Sequence, residues 1–225
     1  MKYFFATWLI LVVASHAAAL KFEKELVVVH VDLSTKSVTK DFKFTNTSSE
    51  RVKIRDADAG CSCVSVEVSE GKLSYAPGES GIFRATFEIG NFQGAVDKTI
   101  HVWLEGDPDE TPSSKATFRI HIPVIITLDP KTVKWEVGAK AETKTIAVIM
   151  NYEKPIHVIS VSTSNTNFST ELVTIEEGKK YEIKVTPNST ESPGLSIIRI
   201  ETDVDVERQK VQQGFAIVRA PVPKS

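Results

Sequence analysis

The chain contains very little cysteine: only Cys61 and Cys63 among its 225 residues. Two cysteines cannot build the disulfide framework that stabilises small secreted domains, so apolar cores must supply most of the stability. The 29 acidic and 27 basic residues nearly balance, and long runs of like charge are missing. Nucleic-acid binding requires a clustered basic surface, so nucleic acid is not an expected partner.

Recognisable catalytic motifs are also missing. The sequence has no Gly-x-Ser-x-Gly nucleophile turn, no phosphate-binding glycine loop and no His-Glu-x-x-His zinc motif. No pair of acidic residues stands out as an acid–base couple, and no histidine lies close to Cys61 in the sequence to activate its thiol. We therefore expect a protein that is not an enzyme and that needs no cofactor.

A long apolar run occurs only at the N-terminus. The segment from Tyr3 to Ala14 is too short to cross a bilayer, and the small residues Ala17–Ala19 follow it. This pattern predicts a signal peptide over residues 1–19, cleaved after Ala19. No later segment is apolar enough to span a membrane, so the mature chain is expected to be exported, either periplasmic or extracellular.

The hydrophobic pattern has a period of two residues rather than 3.6. Apolar side chains alternate with polar ones over short runs, and turn sequences such as Ala76-Pro77-Gly78 and Ser192-Pro193-Gly194 separate the runs. The spacing predicts an all-β chain of about fourteen strands without an amphipathic helix. The alternating runs are Phe42–Phe44, Phe83–Phe87, Ile100–Leu104, Phe118–Ile122, Ile146–Val148, Tyr181–Val185, Ile198–Ile200 and Phe215–Ile217.

The pattern repeats after roughly one hundred residues, which predicts two tandem Ig-like β-sandwich domains. Gly78-Glu79 aligns with Gly178-Lys179, Ile100 aligns with Ile200, and Phe118 aligns with Phe215. We place the first domain at residues 20–126 and the second, which lacks cysteine, at residues 127–225. Asp129-Pro130 breaks the pattern near the join.

The same alignment sets Asn165 and Asn167 opposite Cys61 and Cys63. The second copy keeps the strands and turns around this position but has neither sulfur atom. The cysteine pair is therefore not required by the fold itself.

An ordered set of motifs in the first half resembles a known family. The set comprises Phe42–Thr47, Val52–Arg55, Cys61-Ser-Cys63, Tyr75–Gly81 and Phe87. It resembles a family of uncharacterised bacterial exported domains marked by a Cys-Gly-Cys motif, over about residues 25–126. The resemblance implies an immunoglobulin-type sandwich like that of major sperm protein, and it implies no established activity.

The cysteine pair is the strongest site candidate, and four interpretations of it stay open, one of which is a bridge between two chains. In an extended strand, residues two apart have Cα atoms roughly 6.5–7 Å apart, so a disulfide between Cys61 and Cys63 needs a bent backbone. Two thiolates on one face would instead suit Cu(I), whereas a buried reduced pair would serve only for packing. Export favours oxidation. Ser62 stands where the similar family usually has glycine.

Two weaker sets of candidates remain. His30, His101 and His121 lie on predicted strands and could supply a metal site if those strands are neighbours in one sheet. Trp103 and Trp135 could form an exposed binding patch near the domain join, although we favour the alternative in which they cover the interdomain core.

The sequence therefore favours an exported, non-catalytic Ig-like structural or binding protein of the scaffold or adhesion type. Its expected partner is another protein or a component of the cell envelope. The alternative from a different class is an exported Cu(I)-binding or thiol-redox protein that uses Cys61 and Cys63.

Overall fold

The structure is a computed structural model, and it describes residues 19–220. The described chain contains seventeen β-strands and two 3₁₀ turns, Ser69–Gly71 and Glu207–Gln209. This exceeds the roughly fourteen strands predicted from turn spacing, because pieces of two or three residues are too short to show alternation. Between residues 19 and 220, no helix is long and apolar enough to cross a membrane. Apart from Ala19, the predicted signal peptide lies outside the described residues.

The chain divides into two compact units. The first contains the described residues up to Val29 together with Ser37–Glu88 and Asp97–Arg119. The second contains His30–Lys36, Ile89–Val96 and the residues from Ile120 onwards. The predicted domain limits, 20–126 and 127–225, stay a prediction.

Nine strands of the N-terminal half form a four-stranded and a five-stranded sheet. Their orders are β1-β3-β7-β5 and β2-β9-β8-β4-β6. Aromatic rings fill the core between them, and Phe42 meets Phe118 edge-on with ring centroids 5.8 Å apart. The strands are β1 (Leu20–Phe22), β2 (Leu26–His30), β3 (Ser37–Asn46), β4 (Val52–Asp58), β5 (Val64–Val68), β6 (Ser74–Tyr75), β7 (Ser80–Glu88), β8 (Gly94–Leu104) and β9 (Ser114–Ile122).

The C-terminal half repeats this arrangement with two four-stranded sheets, ordered β10-β12-β15-β14 and β11-β17-β16-β13. Its core contains Trp135, Phe168 and Tyr181 packed among aliphatic side chains. The strands are β10 (Ile126–Asp129), β11 (Thr132–Glu136), β12 (Lys144–Met150), β13 (Val158–Thr163), β14 (Phe168–Glu176), β15 (Lys180–Pro187), β16 (Gly194–Thr202) and β17 (Val211–Arg219).

The two halves therefore share one strand order, apart from the extra edge strand β6. Even an irregularity is shared: the ladder slips after Ile54 in the β4–β8 pair and after Val158 in the β13–β16 pair. The prediction of an all-β chain built from tandem sandwiches is confirmed.

The strand pairing corrects two details of the sequence alignment. Ile54 lies opposite Leu104 and Val158 lies opposite Thr202, so counting back along β8 and β16 matches Ile200 with Val102 rather than with Ile100. Phe118 is buried whereas Phe215 is partly exposed, so the alignment of these two is wrong by an odd number of residues. A slip of one residue turns a strand's side chains to the opposite face.

A glycine makes room for an aromatic ring in the first half only. Gly81 lies opposite Phe44, and a Cβ atom there would come within 2.5 Å of Phe44 and 2.6 Å of Tyr75. Tyr75 comes from β6, the strand without a counterpart. At the matching place of the second half, opposite Val148, the chain has the buried Tyr181 instead.

Candidate functional site

Cys61 and Cys63 form a disulfide in the turn between β4 and β5. Their Cα atoms lie 5.2 Å apart, which is closer than an extended strand allows. The backbone bends at Gly60, whose φ of 67° is readily adopted by glycine, and the N–H of Val64 then donates to the carbonyl of Cys61 at 3.3 Å. The turn therefore has the bend that the sequence argument required for a bridge.

Backbone hydrogen bonds hold this turn at both ends. The N–H of Gly60 donates to the carboxylate of Asp58 at 2.9 Å, and the N–H of Glu88 in β7 donates to the carbonyl of Cys63 at 2.9 Å. Both cysteines are partly exposed, and Ser62 between them is exposed. The disulfide thus belongs to a partly exposed turn whose backbone is fixed by hydrogen bonds that involve no sulfur atom.

The second half has the same turn without sulfur. The segment Asn165-Thr166-Asn167 connects β13 to β14, and the N–H of Asn188 donates to the carbonyl of Asn167 at 2.9 Å. The side chain of Asn165 accepts from the N–H of Asn167 at 3.0 Å and donates to the carbonyl of Leu195 at 2.8 Å. In the second half, hydrogen bonds of the Asn165 side chain therefore hold the turn that the disulfide bridges in the first half.

The ring closed by the disulfide is small, and this limits its effect on stability. In the chain-entropy model, closing a loop of three residues stabilises a fold by about 1.6 kcal/mol, against about 3 kcal/mol for a loop of fifteen. The disulfide is therefore a minor contributor to stability compared with the burial of apolar side chains in the core. Stabilisation of the fold alone is therefore a weak explanation for a cysteine pair at this turn.

Among the other candidate metal ligands, the structure brings His30 and His121 together and leaves His101 apart. Cu(I) binds thiolates, so Cys61 and Cys63 could hold this ion only when they are reduced. The rings of His30 and His121 stack 4.6 Å apart at an interplanar angle of 9°, and His101 instead meets Trp103 edge-on. No group of three or more His, Cys, Asp or Glu side chains within residues 19–220 is placed to hold a metal ion. The three histidines therefore do not form the metal site that the sequence suggested.

The two tryptophans do not form a common exposed patch. Trp135 is only 3% exposed, tilts against Phe168 with centroids 5.7 Å apart and donates its indole N–H to the carbonyl of Glu142. Trp103 belongs to the other unit, is half-buried and donates to the carbonyl of Asp109. Trp135 therefore belongs to the core between the sheets and not to an exposed patch.

A surface that the sequence argument missed lies on the outer face of the β11-β17-β16-β13 sheet. Leu195 pairs across the strands with Ile217, and Ile197 pairs with Phe215. Leu195 is 55% exposed and Ile197 is 36% exposed, while the two β17 residues are partly exposed. We name these residues the outer apolar patch.

The sequence signal for this patch was present but pointed to the wrong face. Phe215 and Ile217 were assigned to the core because they alternate, yet Ala216 and Val218 are the buried residues of β17. Apolar residues occupy both faces of this strand, so alternation alone could not identify the inner one.

The matching face in the first half is polar. Counted from Leu104 and Thr202, the place of Leu195 is taken by Asp97, and the place of Ile197 is taken by Thr99. The Arg119 guanidinium donates to both carboxylate oxygens of Asp97, at 2.7 and 2.6 Å. The outer apolar patch is therefore a property of the second half rather than of the repeated fold.

Comparison with known proteins gives a family match and weak structural likenesses. Residues 20–116 match the family described as "Protein of unknown function (DUF1573)". The Cys-Gly-Cys character and the likeness to major sperm protein stay predictions. No curated protein matches the chain.

Among solved structures, the chain is similar to a protein of unknown function from Porphyromonas gingivalis W83, at 10% identity and a TM-score of 0.34 over 89% of this chain and 99% of that one. It is also similar to the CupB2 chaperone of Pseudomonas aeruginosa, at 13% identity and a TM-score of 0.32 over 88% and 99% of the two chains. The YadV chaperone gives 10% identity and a TM-score of 0.34 over 89% and 100%. Likeness at this level carries no inference about function.

Proposed function

We propose that the protein is an exported, non-catalytic Ig-like binding protein of the scaffold or adhesion type. Its partner is another protein or a component of the cell envelope, and the binding surface is the outer apolar patch. Export is supported by the predicted signal peptide over residues 1–19.

The observation that carries this proposal is the exposed pairing of Leu195 with Ile217 and of Ile197 with Phe215. Single exposed apolar residues are common, but contiguous apolar patches on a soluble protein mark interaction sites. Complete burial of a leucine or isoleucine side chain contributes about 1.5–3 kcal/mol, so cross-strand neighbours buried together could provide a binding centre.

The sheet also presents the patch on a rigid surface. The inward residues of the same strands, including Ser196, Ile198 and Ala216, are completely buried, which fixes the direction of the outward side chains. Little conformational entropy is then lost when a partner covers the patch.

Site-specific photo-crosslinking in the native host tests this proposal. A photoreactive amino acid replaces Ile197 in one variant and Thr99, the matched position of the polar face, in the control. We expect a discrete cross-linked partner from position 197 that disappears in an additional Leu195→Lys background. Equal cross-linking from both positions, or none from position 197, would contradict the proposal.

A further inference from the structure

The disulfide can open without removing the hydrogen bonds that shape its turn. The bond from Glu88 to the carbonyl of Cys63 and the bond from Gly60 to Asp58 involve no sulfur atom. The second half forms the corresponding bond, from Asn188 to Asn167, in a turn that has no cysteine. Reduction of the first turn should therefore leave its backbone in place.

Thermodynamic linkage connects this observation to redox chemistry. A disulfide that strongly stabilises a fold is protected against reduction by the same free energy, whereas one that adds little stability lacks this protection. The pair closes a ring with a sequence separation of only two, and both cysteines are partly exposed. A thiol can therefore approach the sulfur atoms without unfolding of the sandwich.

We infer that Cys61 and Cys63 form a thiol–disulfide exchange site that oxidises dithiols in other exported polypeptides. The proposed binding function needs no catalysis, and this inference adds a redox reaction at a separate site, because the outer apolar patch lies in the other unit. The substrate class is a pair of neighbouring cysteine thiols in an extended or unfolded segment, because a polypeptide segment of this kind can reach a partly exposed turn.

The reaction balances as a transfer of two electrons. A substrate thiolate attacks one cysteine sulfur, which breaks the Cys61–Cys63 bond and forms a mixed disulfide while the other cysteine leaves as a thiolate. The second substrate thiolate then attacks the substrate sulfur of the mixed disulfide and releases the second cysteine. The substrate gains a disulfide, and both cysteines take up the protons that the substrate thiols lose. A low-molecular-weight disulfide of the glutathione class reverses these steps and restores the pair.

The turn also suits the return step. The hydrogen bond from the N–H of Glu88 to the carbonyl of Cys63 keeps Cys63 next to the start of β5. The hydrogen bond from the N–H of Gly60 to the carboxylate of Asp58 fixes the backbone just before Cys61. The two thiols then stay close together after reduction, so ring closure competes well with the mixed disulfide.

The test uses full-length protein purified from the exported fraction. The native protein is equilibrated with glutathione buffers of increasing reducing strength, quenched with acid and alkylated, and the reduced fraction is measured by intact mass. We expect the pair to titrate from oxidised to reduced within this range while circular dichroism remains unchanged. A pair that stays oxidised in every buffer until denaturant is added would overturn the inference.

A second measurement follows electron transfer directly. Oxidised protein is mixed with a synthetic peptide that contains two cysteines, and we expect the peptide to lose two hydrogens as the protein gains them. The Cys63→Ser variant should accumulate a mixed disulfide at Cys61, with release of glutathione, when it is mixed with a single-cysteine peptide whose thiol is joined to glutathione, and the double variant C61S/C63S should do neither. Oxidation of the peptide at the same rate with the double variant would also overturn the inference.

Discussion

The two sandwiches keep the same backbone bonds at matched places and exchange the side chains around them. The N–H of Glu105 donates to the carbonyl of Lys53 in the first half, and the N–H of Asp203 donates to the carbonyl of His157 in the second. Each pair also makes an ion pair between its side chains: Lys53 with Glu105, and His157 with Asp203. The fold therefore fixes which backbone groups bond to each other, whereas the side chains at these positions differ between the two halves.

The same comparison separates fold from function elsewhere. The turn that contains Cys61 and Cys63 is made with Asn165 and Asn167 in the other half, and the outward face that contains Asp97 and Arg119 is apolar there. A residue type that occurs in one copy alone cannot be a requirement of the shared fold. The cysteine pair and the outer apolar patch are such features, which is why each carries a functional proposal.

The largest expected effect concerns the aromatic residues that fill matched regions of the two cores. Tyr75→Ala and Tyr181→Ala should each destabilise their own half by about 3–5 kcal/mol, because both side chains are 2% exposed and truncation leaves a cavity. Hydrogen exchange read out by mass spectrometry would locate the loss in one half at a time. A loss below about 1 kcal/mol in either half would show that the neighbouring side chains refill the space.

A smaller effect is expected from Gly81→Ala, which places a Cβ atom against Phe44 and Tyr75. Overpacking of this kind should cost about 1–3 kcal/mol. The cost should shrink when the substitution is made in the Tyr75→Ala background, since the truncated residue leaves room for the new atom. Equal costs in the two backgrounds, measured by urea unfolding, would contradict the interpretation that Gly81 accommodates the ring from β6.

The strand assignments show what the sequence could predict and where it failed. Alternation identified the strand containing Phe83, Ala85 and Phe87, all completely buried, because a half-buried strand must alternate. The alignment of Ile100 with Ile200 failed because a slip of two residues preserves the buried face and leaves no mark in the pattern.

The candidate site was predictable only in part. The cysteine pair was visible from its spacing, because two residues so close in sequence must also be close in space. The outer apolar patch joins residues of β16 and β17, and the contact between His157 and Asp203 joins the residue before β13 to the residue after β16. Such contacts depend on strand register, which alternation does not fix.

Replacing the disulfide should have a modest effect on stability. The double variant C61S/C63S is expected to lose about 1.6 kcal/mol or less, because the cross-linked ring contains only three residues. The matched control Asn165→Ala removes a side chain that donates to Leu195 and should cost about 0.5–1.5 kcal/mol. A much larger loss of stability in C61S/C63S than in the control would show that the cysteine pair is mainly structural.

The smallest effect is a difference in pH dependence between the halves. The hydrogen bond that the His157 ring donates to the Asp203 carboxylate raises the pKa of His157 above 6.5, so the pair stabilises the second half fully below pH 6.5 and loses this contribution as the pH rises through the folded pKa. Burial opposes ionisation of Asp203, but the hydrogen bonds from His157 outweigh it and lower the pKa of the carboxyl. The contribution is therefore lost again at low pH, as the pH falls through the pKa of Asp203.

The matched contact of the first half joins Lys53 to Glu105 and contains no histidine. The variant His157→Lys gives the second half the same kind of pair. Its stability, measured by thermal unfolding between pH 6 and pH 9, should lose the decline seen in the wild type. A decline that persists unchanged in His157→Lys would assign the pH dependence to another group.

The most direct test of the account is amide hydrogen exchange at Glu88 and Asn188, measured by NMR in the wild type and in C61S/C63S. These amides donate to the carbonyls of Cys63 and Asn167, the matched bonds that close the two turns. The account predicts that Glu88 stays protected in the variant, at a level comparable with Asn188. Loss of protection at Glu88 alone would contradict it, because the turn would then depend on the disulfide and the pair would belong to the fold.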